Sequence, residues 1–235
     1  MKAITKNSVK EWFSHFGKTL KYSLHCIVSP FDGFWDLTHE KRGSVSASVF
    51  LVILTVLTSI WKTRYTSFVF IRVQWEYFNI ILNVCTFLLP FFIWILSNWC
   101  LTTLFDGKGT MKDIFMGSSY ALTPYVLIQL PMIVFSNFVT YEEGAFYTYF
   151  LSFSMIWCGF LFLASVMQIH DFSFGKALLS ILCILVGMLV IVFLLVLFFS
   201  LFSDAISFFI SLYKEISYHH EFLMHNTTVY TDSIS

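Results

Sequence analysis

The chain has 235 residues, of which 57% are apolar, 20% are aromatic and only 12% are charged. Globular proteins carry roughly twice that charged fraction, about 25%, because a soluble domain of this size needs a large polar surface. Fourteen basic and fourteen acidic residues leave no net charge to attract nucleic acid. No pair of the five cysteines has the spacing of a zinc site. The composition therefore excludes a soluble enzyme domain, a disulfide scaffold and a disordered chain, and it predicts a polytopic membrane protein.

The first 43 residues begin with a predicted amphipathic helix that ends before Pro30. Its apolar residues recur at helical spacing, and lysines occupy the complementary face. A basic helix with an aromatic face is typical of the membrane interface, although packing on the cytoplasmic side of this same protein is an alternative. The apolar residues are Val9, Trp12, Phe13, Phe16, Leu20 and Leu24, and the lysines are Lys10, Lys18 and Lys21.

Five later segments are long and apolar enough to cross a bilayer, which takes about 20 residues. Their apolar runs are continuous rather than alternating, which favours helices over a membrane β-barrel. The predicted fold is therefore an all-α integral membrane protein with five transmembrane helices after the N-terminal interfacial helix. The segments are 44–61, 79–104, 114–138, 145–167 and 177–202, so the membrane domain is 44–202.

The third and fifth segments differ most in polarity. The third contains two prolines and several Ser, Thr, Gln and Asn residues, which oppose transfer into lipid. The fifth holds twenty Leu, Ile, Val or Phe residues, which favour insertion by roughly 6 to 12 kcal/mol. We therefore expect the third helix to be shielded within the bundle and the fifth to face lipid.

Residues 203–235 form a tail that either extends the fifth helix or bends along the outer surface. The Lys and Arg residues of the connections indicate the orientation of the chain. With the N-terminus inside, ten of them fall on the cytoplasmic side and four on the other. Residues 1–43 are therefore predicted to be cytoplasmic and the tail extracytoplasmic.

The predicted segments contain no Asp, Glu, Lys, Arg or His. Coupled transporters usually hold an ionisable group at mid-membrane depth, and an intramembrane metalloprotease needs paired ligands such as His-Glu-x-x-His. We therefore expect no catalytic residue, no cofactor and no metal site. The tail histidines are interpreted as a solvated cluster, because a metal site needs ligands in a fixed geometry; they are His219, His220 and His225.

The predicted segments contain several residues that favour contacts between helices. Prolines predict kinks, small residues four apart allow close approach, and amides hydrogen-bond across helices for about 0.5 to 2 kcal/mol each. These features are interpreted as holding this bundle together, with contacts to another membrane protein as the alternative. The kink and packing candidates are Pro90, Pro124, Pro131, Gly117 and Asn98, together with Ser44, Ser48, Ala121, Asn83 and Gln129.

Seven strings, taken together, resemble bacterial members of the Yip family over roughly residues 28–202. The resemblance implies a five-helix bundle with a cytoplasmic N-terminus and no catalytic residues. Eukaryotic relatives bind small GTPases and membrane-shaping proteins, but this chain lacks their longer cytoplasmic region, so the resemblance does not favour a GTPase partner. The strings are 29–37 (SPFDGFWDL), 39–44 (HEKRGS), 98–103 (NWCLTT), 106–110 (DGKGT), 120–125 (YALTPY), 142–147 (EEGAFY) and 173–176 (SFGK).

The leading hypothesis is a non-enzymatic plasma-membrane adaptor that packs against other integral membrane proteins. Bacterial relatives occur among ABC-type carbohydrate importers, so the resemblance implies importer permease subunits as partners. The alternatives are a small transporter or channel lined by Asn83, Thr123 and Gln129, and a membrane-shaping protein that uses its N-terminal helix. The expected contacts to lipid or partner are Trp12, Phe13, Phe16, Leu20, Phe31, Phe34, Trp35, Lys41 and Arg42.

Overall fold

The computed structural model describes residues 17, 19–67, 70, 79–102, 104, 106–140 and 142–232, with side chains as far as residue 218. Within these ranges the regular structure is entirely helical. Residues 19–28 form a helical segment ahead of the first complete helix. The helices that follow are α1 (Pro30–His39), α2 (Val45–Tyr65), α3 (Ile80–Thr102), α4 (Met111–Ala121), α5 (Thr123–Phe135), α6 (Gly144–His170) and α7 (Phe174–Asp232).

Five membrane spans are present by length and composition, which confirms the predicted number. They are α2, α3, α4 together with α5, α6, and α7 as far as Tyr218. Most of these helices extend beyond the predicted segments. Ionisable residues therefore enter the ends of the spans, among them Lys62 and Arg64 in the last turn of α2 and His170 at the end of α6. The expectation of spans without ionisable side chains applies only to the predicted segments themselves.

The third span is divided into two helices that meet at Leu122. Pro124 causes the division, because it has no N–H to donate to the Tyr120 carbonyl four residues earlier. The Thr123 hydroxyl donates to that carbonyl instead, at 2.7 Å, and so satisfies the acceptor within a buried turn. At its other end the span begins with a capping box, in which Thr110 and Asp113 each accept a backbone N–H from the other.

Burial within the protein follows the predicted contrast between the spans. In the third span, 61% of an apolar stretch of 18 residues is buried inside the protein. In the fifth span, only 6% of such a stretch is buried. α4 and α5 both pack on α2 and α6, and α4 also packs on α3, which makes the third span the centre of the bundle. The chain divides into two compact units, Met1–Met188 and Leu189–Ser235.

α1 is packed into the bundle rather than lying apart from it. Phe31 contacts Phe160 near the middle of α6, and His39 lies beside Asp171 just past the end of α6. α1 therefore runs along the last part of α6 in the same direction. A break at Ser29 separates it from the helical segment 19–28, as Pro30 predicts. Residues 1–16 and 18, which include most of the predicted amphipathic helix, lie outside the described residues.

The tail continues α7, which stays helical as far as Asp232. Of the two alternatives for the tail, extension of the fifth helix is the one that the structure has. Residues 203–218 are all exposed.

Candidate functional site

Three polar connections meet at the predicted cytoplasmic end of the bundle. Asp171 follows α6, and its Oδ2 accepts a hydrogen bond from Lys108 Nζ of the α3–α4 connection at 3.0 Å. The His39 ring at the end of α1 lies 3.9 Å from the other carboxylate oxygen. Asp171 therefore joins three connections that are remote in sequence. Asp171 also has a left-handed backbone (φ 54°), as do Lys41 and Asp106 in the neighbouring connections.

His170 forms a buried network beneath this surface. The Gly109 N–H donates to His170 Nδ1 at 3.2 Å, so Nδ1 carries no proton. The other ring nitrogen, Nε2, is then the protonated one and donates to Asn98 Oδ1 at 3.1 Å. Both side chains are at least 97% buried, and Phe172 stacks on the imidazole. This neutral histidine ties the ends of α3 and α6 to the glycine-containing α3–α4 connection.

An aromatic strip runs along the outer face of α6 and onto α1. It consists of Phe153, Trp157 and Phe160 from α6 and Phe31 from α1. Successive ring centroids along it are separated by 5.9, 5.5 and 6.1 Å. Phe31, Phe153 and Phe160 are exposed, while Trp157 is half-buried against the core. We refer to these four residues as the aromatic strip.

α1 is held firmly beneath its part of the strip. Phe34 and Leu37 are completely buried in a cluster with Leu161 and Ala164 of α6. Gly33 lets the helical segment 19–28 approach closely, because a Cβ at this position would lie only 2.9 Å from Cys26 Cα. The exposed side of α1 is therefore presented on a rigid base.

The five spans bring described parts of four of the seven family strings to one end of the bundle, namely residues 39–44, 98–102, 106–110 and 173–176. A family model described as the Yip1 domain matches residues 24–211, about four fifths of the chain. The chain belongs to the Yip1 domain family. The searches of curated proteins and of solved structures gave no match. The resemblance drawn from the seven strings is confirmed at the level of the family.

The predicted contact residues of this Yip1 domain occupy three different environments. Phe31 and Trp35 are exposed on α1, and Lys41 is exposed in the turn after it. Arg42 pairs with Asp36 and Glu40 of its own segment, at 3.3 and 2.5 Å. Phe34 lies in the core and Leu20 is half-buried against it, so Phe34 offers no surface to a partner. Trp12, Phe13 and Phe16 lie outside the described residues.

The predicted packing residues lie at contacts between helices. Gly117 is buried, and a Cβ there would meet Ser165 Oγ and lie 2.5 Å from Ile169 Cδ1. Pro124 is fully buried at the start of α5, whereas Pro90 and Pro131 lie within α3 and α5 and are exposed.

All three predicted amides hydrogen-bond across helices. Asn98 is joined to α6 through His170. Gln129 of α5 donates to Ser154 of α6 at 2.9 Å. Asn83 of α3 bonds Ser59 and Thr63 of α2, each at 3.3 Å. The expectation of interhelical hydrogen bonds is therefore confirmed for each of these amides.

These bonds also bear on the transporter alternative. Asn83 and Gln129, which would line a solute path, are engaged with neighbouring helices, and the hydroxyl of Thr123 is bound to the Tyr120 carbonyl. Gln129 is completely buried. Thr123 does border a groove between α5, α2 and the helical segment 19–28, but apolar residues make up most of its lining. The contacts of these three side chains serve helix packing.

In the part of the chain that the structure describes, no three His, Cys, Asp or Glu side chains lie close enough together to hold a metal ion. The side chains of His219, His220 and His225 lie outside that part. The absence of a catalytic residue and of a cofactor stays a prediction.

Cys26 is a buried thiol between the helical segment 19–28 and α1. Burial raises the pKa of the Cys26 thiol to about 12, because the surroundings disfavour the thiolate. The thiolate is the reactive form, so we expect N-ethylmaleimide at pH 8 to label Cys26 more than about a hundredfold more slowly than an ordinary exposed cysteine.

Mass spectrometry of the detergent-solubilised chain measures this rate, with Cys26 of the same chain unfolded in urea as the comparison. The rate at Cys26 should keep rising with pH up to about 12, where its thiol ionises. Equal labelling rates of Cys26 in the folded and the unfolded chain would contradict the burial of Cys26.

Proposed function

We propose that this Yip1-family membrane protein is a non-enzymatic adaptor that packs against other integral membrane proteins. The observation that carries the proposal is the aromatic strip, which is exposed along α6 and continued by α1. Aromatic side chains are enriched where binding energy concentrates in interfaces, since they bury a large area at little cost in conformational entropy. The strip is rigid, because Phe34 and Leu37 fix α1 on the bundle.

The orientation belongs to the same proposal. The N-terminus is placed in the cytoplasm and the C-terminus outside the plasma membrane. The charge count of the connections supports this arrangement. The polar end around Asp171 then faces the cytoplasm and flanks the aromatic strip.

A narrower proposal concerns the partner. The family resemblance favours the permease subunits of an ABC-type carbohydrate importer, with this chain as an accessory subunit. Three of the four rings belong to the span α6. Such a surface suits another transmembrane helix, because helices in lipid associate by van der Waals packing.

Site-specific photocrosslinking in native membranes tests the proposal. A benzophenone amino acid replaces Phe31 or Phe160, and in a matched control it replaces Phe193, which is exposed on α7. We expect discrete crosslinked bands from the two strip positions and none from the control.

Mass spectrometry of the bands then separates the broad from the narrow proposal. An importer permease subunit would support both. A different integral membrane protein would support the adaptor and overturn the importer assignment. Identical diffuse products from strip and control would contradict the adaptor itself.

A further inference from the structure

The part of α7 from residue 203 to 218 differs in composition from the part before it. Residues 189–202 are apolar all round apart from Ser200. From Ser203 onward the helix has two faces, as the rotation of 100° per residue shows. One arc of about 160° is apolar. It carries Ala205, Ile206, Phe208, Phe209, Leu212, Tyr213 and Ile216. We call residues 203–218 the tail helix.

The opposite face of the tail helix is polar but weakly charged. Four serines lie on it, Ser203, Ser207, Ser211 and Ser217, whereas its ionisable residues are only Asp204, Lys214 and Glu215. The formal charge of this face is therefore only −1. Only Ile210 and Tyr218 depart from the pattern. A basic face, which would attract anionic lipid, is missing from these sixteen described residues.

The position and shape of the apolar face indicate what covers it. Every residue of the tail helix is exposed, including Phe208, Phe209 and Tyr213. The helix continues directly from the lipid-spanning part of α7, which keeps it at the membrane surface at a high effective concentration. An arc of about 160° is also wider than the narrow seam of a two-stranded coiled coil. A bilayer interface suits such a face better than a second helix does.

We propose that the tail helix lies in the bilayer interface and binds lipid by inserting its aromatic and aliphatic side chains into packing defects. Because its polar face is rich in serine and nearly neutral, binding depends on lipid packing and curvature rather than on anionic headgroups. In the structure α7 is one continuous helix as far as Asp232, so binding along the bilayer surface requires its axis to turn near Ser203, where the composition changes. The tail helix would bind best to a strongly curved bilayer of loosely packed neutral lipid.

Fluorescence quenching in reconstituted vesicles tests this inference with the full chain. A genetically encoded dansyl amino acid replaces Leu212 on the apolar face or its neighbour Ser211 on the polar face. The vesicles are neutral phosphatidylcholine, either small and sonicated or large and extruded, with a doxyl group near the headgroup boundary. We expect quenching at position 212 to exceed that at 211 by at least about twofold, and more in small vesicles. Added phosphatidylserine should change neither result.

A pair of substitutions provides the control. Phe209→Asp, on the apolar face, should abolish quenching at position 212, whereas Ser207→Asp, on the polar face, should leave it intact. Equal quenching at 211 and 212 would overturn the inference, as would quenching that requires phosphatidylserine. Energy transfer between chains without quenching would overturn it in favour of a second copy.

Discussion

His170→Ala is expected to lower the free energy of unfolding by about 2 to 6 kcal/mol, because it takes a hydrogen bond from each of two polar groups at this site. The groups are the Gly109 N–H and Asn98 Oδ1, which both bond the imidazole. The loss of such a hydrogen bond at a buried or half-buried group costs about 1 to 3 kcal/mol. The chain should therefore unfold at a distinctly lower denaturant concentration in detergent or nanodiscs.

Two further variants separate the network from the general loss of a histidine. His25→Ala removes an exposed imidazole and should change the free energy of unfolding by less than about 0.5 kcal/mol. His170→Gln keeps one donor and one acceptor, so it should recover part of the loss. If His170→Ala unfolded at the same point as His25→Ala, the network would contribute nothing to stability.

The number of spans could be predicted because length and composition determine it directly. The five apolar runs are each long enough to cross the hydrocarbon layer, and no competing element in soluble proteins has that composition. The polarity of the third segment likewise indicated its central position, since its Gln129 and Thr123 would be costly next to lipid. The division at Leu122 follows from Pro124, although the satisfaction of the Tyr120 carbonyl by Thr123 is a detail of local geometry.

The partners of the amides could not be predicted, although their role was. Asn98 and His170 are 72 residues apart, and Gln129 and Ser154 are 25 apart, so only the folded bundle brings them together. The sequence also placed His170 in a connection three residues beyond the predicted end of the fourth segment. The structure extends α6 to include it. Boundaries of this kind depend on capping, here the left-handed Asp171.

The aromatic strip was missed for a physical reason. In a soluble protein, the outward face of a helix is polar and the periodicity reveals the buried side. A lipid-facing helix is apolar on both sides, so α6 shows no such contrast. The spacing of Phe153, Trp157 and Phe160, at i, i+4 and i+7, is the signal that would have placed the three rings on one face. Nothing in the sequence indicated that Phe31 would continue them.

Gly33→Ala is expected to destabilise the bundle by about 1 to 3 kcal/mol, the cost of inserting a methyl group into a filled site. The added Cβ would lie 2.9 Å from Cys26 Cα, and a backbone atom cannot move aside as a side chain can. Gly159→Ala is the matched control on α6, where no atom outside the local helix lies within 4 Å of the new Cβ. There the higher helix propensity of alanine should leave stability unchanged or raise it by up to about 1 kcal/mol.

Chemical unfolding measures both changes in stability. A loss for Gly33→Ala without a loss for Gly159→Ala would show that the close packing of α1 on the helical segment 19–28 requires glycine at position 33. The same pair also relates stability to the proposed function. Displacing α1 should weaken the crosslinks formed from position 31 while leaving those from position 160, because Phe160 belongs to α6 and does not depend on the crossing at Gly33. If Gly33→Ala matched Gly159→Ala in stability and left both crosslinks unchanged, α1 would not be a rigid part of the aromatic strip.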